Sequence, residues 1–355
     1  MAYSTITKPS DYFNTKLYTG NGGTQSITGI GFQPDWTWIK RRDGGTAHHQ
    51  LFDVIRGATK RIYSSSNAAE DTGSDTLTAF DSDGFSVGAN AGVNGNSNTT
   101  VSWNWKANGA GSANTDGSIN STVSANTTAG FSIVSYTGTG ANATVGHGLG
   151  SNVNMVIIKD KSATRDWIVG NTAIGFDKYV LLNSTASSVT ASNRFQDTAP
   201  SSSVFTIGTH GYVNNSGSNY IAYCFAEKTG YSKFGSYTGN GNADGTFVYT
   251  GFKPAFIMTK RIDNTGAWLM YDSKRNPSNL TDKKLLANEN GAENASVSPS
   301  GVIASTNNID IVSNGFKQRT TQGYNNASGG NYIYMAFAEE PLVANVGQSI
   351  PATAR

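Results

Sequence analysis

One cysteine, four histidines and a charged fraction of only 14% in 355 residues remove several kinds of protein from consideration. A lone Cys224 allows no intrachain disulfide and no cysteine-based zinc site. It lies in an apolar strand-like run, where a small buried side chain is the expected role. His48, His49, His147 and His210 are not spaced as metal ligands, and no His-x-Glu-x-x-His pattern or Walker loop occurs. The net charge of +2, with lysines and arginines scattered, gives no basic face for nucleic acid. No stretch approaches 18 apolar residues, so no membrane-spanning helix is expected. The opening Met1 to Ser10 lacks the apolar segment of a signal peptide, so no secretion signal is read.

What is present is repetition. Tyr-Thr-Gly occurs at Tyr18, Tyr136 and Tyr237, and an apolar run ending in lysine follows each, at Lys40, Lys159 and Lys260. Trp167 and Trp268 lie eight residues past the second and third lysines; in the first copy His49, nine past Lys40, takes the tryptophan's place. Asp272 and Arg275 follow Trp268 at the offsets by which Asp53 and Arg56 follow His49. In the second copy Gly170 is read at the aspartate's place. Each copy closes on an aromatic run: Val101 to Trp105, Tyr220 to Phe225 and Tyr332 to Phe337. A period of roughly 100 to 120 residues marks duplication of a small domain rather than a solenoid unit.

Short apolar runs bounded by Asn-Gly, Asp-Gly and proline punctuation read as strands, and no segment carries a capped helical period. The expected fold is all-β: three tandem antiparallel β-sandwich, jelly-roll-like domains. Boundaries follow as repeat 1 at 1–108, a Gly/Ser/Asn/Thr-rich linker or loop at 109–130, repeat 2 at 131–229, repeat 3 at 230–340 and a tail at 341–355. Repeat 2 reads as abbreviated, because the run His210-Gly211-Tyr212 ends only 13 residues before Phe225 whereas Phe316 lies 21 before Phe337.

Few residues carry candidate chemistry. Asp53 with Arg56 and Asp272 with Arg275, next to Trp268, could contact a ligand or could pair to hold a loop. Trp36 and Trp38 share one strand face, as do Trp103 and Trp105, and could form a stacking platform or a core. Lys40, Lys159 and Lys260 read as strand-end charges reaching solvent. Asp71, Asp75, Asp81 and Asp83 form an acidic cluster that could hold calcium, although the spacing fits no EF-hand; no other cofactor is expected.

The opening Pro9-Ser-Asp-Tyr-Phe-Asn-Thr-Lys-Leu-Tyr-Thr-Gly-Asn-Gly22, the recurring Gly-Phe-x-Pro followed by an aromatic-Ile pair and a lysine (31–40 and 251–260) and the ending Met335-Ala-Phe-Ala-Glu-Glu-Pro-Leu-Val-Ala-Asn345 resemble a family of repeated β-domains of tailed bacteriophages, particularly those of marine bacteria and cyanobacteria. The resemblance covers the whole chain and implies units of concanavalin or laminin-G type in a virion appendage such as a tail fibre, spike or head appendage. It carries no catalytic residues. The expectation is a non-enzymatic virion protein assembled in the host bacterial cytoplasm, its partners being other virion proteins, further copies in a homotrimer, and host surface glycan or protein reached through sandwich loops. Copy one is expected to be the binding unit or the anchor. A capsid-decorating protein without receptor binding is the alternative. A polysaccharide depolymerase would need paired carboxylates about 5 to 10 Å apart.

Overall fold

Period-two alternation gives each repeat the same pair of sheets. A computed structural model describes residues 4–44, 46–294 and 308–341; the expected tail lies, past Pro341, outside the described residues. In unit 1 the strands are β1 (Phe13–Thr19), β2 (Gln25–Thr28), β3 (Trp36–Arg41), β4 (Gln50–Asp53), β5 (Lys60–Tyr63), β6 (Asp71–Thr72), β7 (Leu77–Asp81), β8 (Gly84–Val87) and β9 (Thr99–Trp105). Unit 2 holds β10 (Ser112–Asn114), β11 (Ser121–Asn126), β12 (Phe131–Thr137), β13 (Ala143–Gly146), β14 (Met155–Asp160), β15 (Ile168–Asn171), β16 (Gly175–Leu181), β17 (Val189–Thr190), β18 (Val204–Ile207) and β19 (Asn219–Phe225). Unit 3 holds β20 (Ser232–Thr238), β21 (Phe247–Tyr249), β22 (Phe252–Arg261), β23 (Trp268–Asp272), β24 (Leu285–Leu286), β25 (Ile309–Val312), β26 (Gly315–Gln318) and β27 (Asn331–Pro341). Helix is confined to short turns, among them α1 (Ala91–Asn94), α2 (Ser192–Phe195), α3 (Gly211–Asn214) and α4 (Gly323–Asn326).

The large sheets run β1-β9-β3-β4-β5-β6, β10-β11-β12-β19-β14-β15-β16-β17 and β20-β27-β22-β23-β24. Small sheets β2-β8-β7, β13-β18 and β21-β26-β25 cover one face of each. The protein is therefore all-β, with the antiparallel two-sheet arrangement of a sandwich in each repeat.

The other face of each large sheet is where the three tandem units cease to be separate. On β19, Ile221, Tyr223 and Phe225 point one way and Tyr220, Ala222 and Cys224 the other. The second set packs inside unit 2, but the first joins a cluster drawn from all three units. Trp36, Trp38, Trp103 and Trp105 meet Phe131, Ile157 and Tyr223 of unit 2 and Phe256, Met258 and Phe337 of unit 3 in that shared core. Trp36 stacks on Tyr223 at 4.3 Å, and Phe13 on Phe337 at 5.1 Å. The three repeats are lobes around one interior, so their strands are buried on both faces.

Two expectations about unit 2 change. Residues 109–130 are not a linker: β10 and β11 extend the unit-2 sheet, because Val123 and Ala125 alternate with Thr122, Ser124 and Asn126 in a two-residue period. Nor is a loop lost before Phe225. The register of the small sheets makes Phe85, Phe205 and Phe316 equivalent, and these lie 20, 20 and 21 residues before Trp105, Phe225 and Phe337.

Candidate functional site

The repeated residues converge on two places in each unit. The first is a clip at the unit's outer end. Tyr18, Tyr136 and Tyr237 each donate their hydroxyl to a carbonyl of the adjoining helical turn, on Val93 (2.6 Å), Val213 (2.7 Å) and Asn325 (2.9 Å). The next residue of each turn is a fully buried asparagine: Asn94, Asn214 or Asn326. Its amide donates to Gly88, Gly208 or Thr320, and its oxygen accepts the backbone N–H of Asn21, Thr139 or Asn240. Glycine is required at Gly20, Gly138 and Gly239 because a Cβ there would collide with the backbone of the same turn. The tyrosine and glycine of the motif were legible; the asparagine was missed, although an Asn ends the turn in every copy.

The second place is the seam between lobes. Lys40, Lys159 and Lys260 are fully buried and do not reach solvent as expected. Each lies too far inside the shared body to snorkel, and each ammonium donates to carbonyls. Lys159 reaches Asp160 (2.7 Å) and Ala163 (3.3 Å) of its own unit and Asn67 of unit 1 (3.2 Å). Lys260 reaches Gly266 (2.7 Å) and Thr185 of unit 2 (3.0 Å); Lys40 reaches Arg41 (2.9 Å) and Asn290 of unit 3 (3.3 Å). The same three carbonyls accept a backbone N–H across the seam, from Arg165, Gly266 and Ala47. Unit 2 thus grips unit 1, unit 3 grips unit 2 and unit 1 grips unit 3, a closed cycle of one contact used three times. Burial pulls Lys40 and Lys159 down to about 8 and Lys260 to about 7.

Trp167 and Trp268 repeat this direction, donating their indole N–H to Tyr63 (2.9 Å) and Leu181 (2.8 Å) of the preceding unit. In unit 1 His49 replaces the tryptophan, accepts from Trp38 Nε1 (2.8 Å) and is held neutral by burial, with Lys40 nearby opposing its charge.

Asp53 and Arg56, and likewise Asp272 and Arg275, form fully buried ion pairs at 2.5 Å. Across the seam Tyr223 of unit 2 donates to Asp53 (2.8 Å), and Trp103 of unit 1 donates to Asp272 (3.0 Å). Burial opposes both guanidinium charges, but Asp53 with Tyr223 and Glu70, and Asp272 with Glu293, together outweigh it and raise the two arginines. Strand register places Asn171, not Gly170, opposite Met155 as Asp272 lies opposite Phe256 and Asp53 opposite Trp36. Ile174 then falls at the arginine's place, and the neighbouring lobe presents Met335 where the other seams present Trp103 or Tyr223. An ion pair occurs where the neighbour offers a hydrogen-bond donor, and an uncharged set where it offers a thioether.

None of the residues expected to touch a ligand has a side chain open to solvent. Trp36, Trp38, Asp53, Arg56, Trp268, Asp272 and Arg275 are all buried. The four aspartates of unit 1 do not gather. Asp71 pairs with Arg61 (2.6 Å), Asp81 accepts from Ser86 (2.7 Å), Asp83 accepts the N–H groups of Gly29 and Gly31, and Asp75 faces Asn90. Among the described residues no three His, Cys, Asp or Glu side chains come together as metal ligands. Gly84-Phe85-Ser86-Val87-Gly88 matches a Gly-x-Ser-x-Gly pattern, yet Ser86 lies inside β8 rather than on a strand-to-helix elbow.

Open concavities sit elsewhere. One of about 440 Å³ lies between units 2 and 3, bordered by Ile174, Lys178, Ile262 and Asp263. Two more occupy corresponding outer ends: about 650 Å³ in unit 3, beside Asp244, Leu280, Asp310 and Arg319, and about 370 Å³ in unit 2, beside Asn142, Asn193 and Asp197.

A family model described as "Domain of unknown function (DUF7483)" matches residues 8–341. The chain belongs to this family. The match runs through all three repeats as one unit, as the shared interior requires. No curated protein matches the chain.

Proposed function

We propose that this member of the family is a non-catalytic structural protein on the surface of a bacteriophage particle, presenting its outer loops to the bacterial cell. The carrying observation is where the repeated chemistry goes. Groups kept in every copy bond to backbone within a lobe or across a seam, whereas the outer ends differ from lobe to lobe. Catalysis needs an activated group among partners at a substrate-sized cleft, and the repeated lysines point instead at neighbouring carbonyls. The sequence resemblance to phage appendage domains supports the virion setting. So does a surface with few charges and many hydroxyls and amides.

Three outer ends held at fixed positions let weak contacts act together. The three seams close a cycle within one chain, so association of chains into a homotrimer would multiply lobes rather than complete them. Host glycan or protein is the partner at the outer ends, and other virion proteins hold the remainder. Cryo-electron microscopy of the particle tests this. An outer end projecting free is expected; a chain covered on every side by other subunits would make it structural cement and end the attachment reading.

A further inference from the structure

Unit 3 carries an aromatic pair that is about half exposed. Phe247 and Tyr249 are 46% and 49% exposed, while Val248 between them is buried in the lobe's core, so both rings stand on the outer face of the small sheet. Strand register makes Ser26 and Thr28 their counterparts in unit 1, and Thr144 and Gly146 in unit 2. The same strand therefore forms twice without an aromatic ring. Across the sheet Phe247 pairs with Lys317, which pairs with Asp310. The Thr281–Ile309 bridge then sets Leu280, itself 43% exposed, at the far end of this row beside the 650 Å³ groove.

Charge on this face cancels locally. Lys317 pairs with Asp244 (2.6 Å), and Arg319 with Asp310 (3.0 Å) and Asp244 (3.3 Å). Such a face gives an anionic polymer no field to follow. It offers instead two aromatic side chains on strand positions about 7 Å apart, rimmed by carboxylates that accept and cations that donate. A sugar chain has the matching character, with apolar C–H faces and a hydroxyl edge. We propose that this face binds a neutral polysaccharide, successive sugars stacking on Phe247 and Tyr249 while their hydroxyls bond to Lys317, Asp310 and Arg319. The inference deepens the attachment reading above by naming the ligand class and the lobe.

The test is electrophoresis of the full chain through gels containing dextran, soluble starch, mannan or galactan. At least one should retard wild type. The double variant F247S/Y249T installs the unit-1 residues and should weaken that retention tenfold or more at unchanged Tm. Arg319→Ala, at an exposed ion pair, should weaken it several-fold and guards against misfolding of the first variant. Retention by none of the four polymers, or equal retention of both variants and wild type, overturns the proposal. So does a change in sedimentation of F247S/Y249T, which would make the face a contact between copies. Loss of sugar binding would leave attachment through other outer ends standing. A chain buried in the particle but still retained in the gel would sink attachment alone.

Discussion

Replacing Arg56 by isoleucine should be among the most damaging single changes in the molecule, and the third seam shows how to reverse it. Arg56 is fully buried, pairs with Asp53 at 2.5 Å, and donates to the carbonyls of Leu51 (2.8 Å) and Lys60 (3.0 Å). Its removal leaves the Asp53 carboxylate inside the body with only Tyr223 and two backbone N–H groups around it. Breaking a buried pair from one side costs about 3–5 kcal/mol. Exchanging all members for a packed uncharged set is far cheaper, because no desolvated charge remains. The chain already contains that set as Asn171, Ile174 and Met335. The triple variant D53N/R56I/Y223M should therefore recover most of the loss and sit within about 2 kcal/mol of wild type, the remainder reflecting two carbonyls without donors. Urea titration followed by tryptophan fluorescence reads all three proteins. An Arg56→Ile variant within about 1 kcal/mol of wild type would refute the reasoning. So would a triple variant that is merely the sum of its three single changes.

The buried lysines predict a pH dependence of known sign. Their folded values near 7 to 8 lie below the ordinary 10.5, so the unfolded chain holds protons the folded chain has released. Stability should rise as pH climbs from about 7 towards 10, and Lys260→Met should flatten the rise of Tm in that window. Asn94→Ala removes the oxygen that caps the Asn21 N–H and the amide bonded to Gly23 and Gly88; hydrogen exchange in residues 20–24 and 88–94 should quicken, with a loss of about 2–4 kcal/mol. Gly239→Ala should cost about 1–3 kcal/mol in thermal unfolding, since the α4 turn must move to admit a methyl group. Deleting residues 1–108 removes Trp36, Trp38, Trp103 and Trp105 from the shared core, so the remainder should self-associate or fail to fold rather than report on attachment.

The strands, the repeat and the pairing of Trp36 with Trp38 on one face were legible because side-chain alternation is a local signal. What the inner face packs against was not, since a strand buried on both sides reads alike in an isolated sandwich and in a lobe of a larger body. The lysines show the gap best. A charge ending an apolar run is ordinarily a solvent anchor, and only the neighbouring lobe turns Lys159 into a donor to Asn67. Gly170 falls one residue short of the aspartate's place: the four-residue offset from Trp268 to Asp272 leads from Trp167 to Asn171, and pairing with Met155 fixes it there. The β-favouring composition of Phe247 to Tyr249 does not say which side chains point outward; the exposure of the two rings follows from β21 lying at a sheet edge with Val248 taking the inward position.

The central claim is that three repeats share one interior and so form one cooperative unit. Scanning calorimetry of the full chain tests it by comparing the calorimetric enthalpy with the van't Hoff enthalpy. The account predicts a single transition with the two enthalpies nearly equal. Two or three resolved transitions, or a calorimetric enthalpy about three times the van't Hoff value, would show lobes that unfold independently and contradict it.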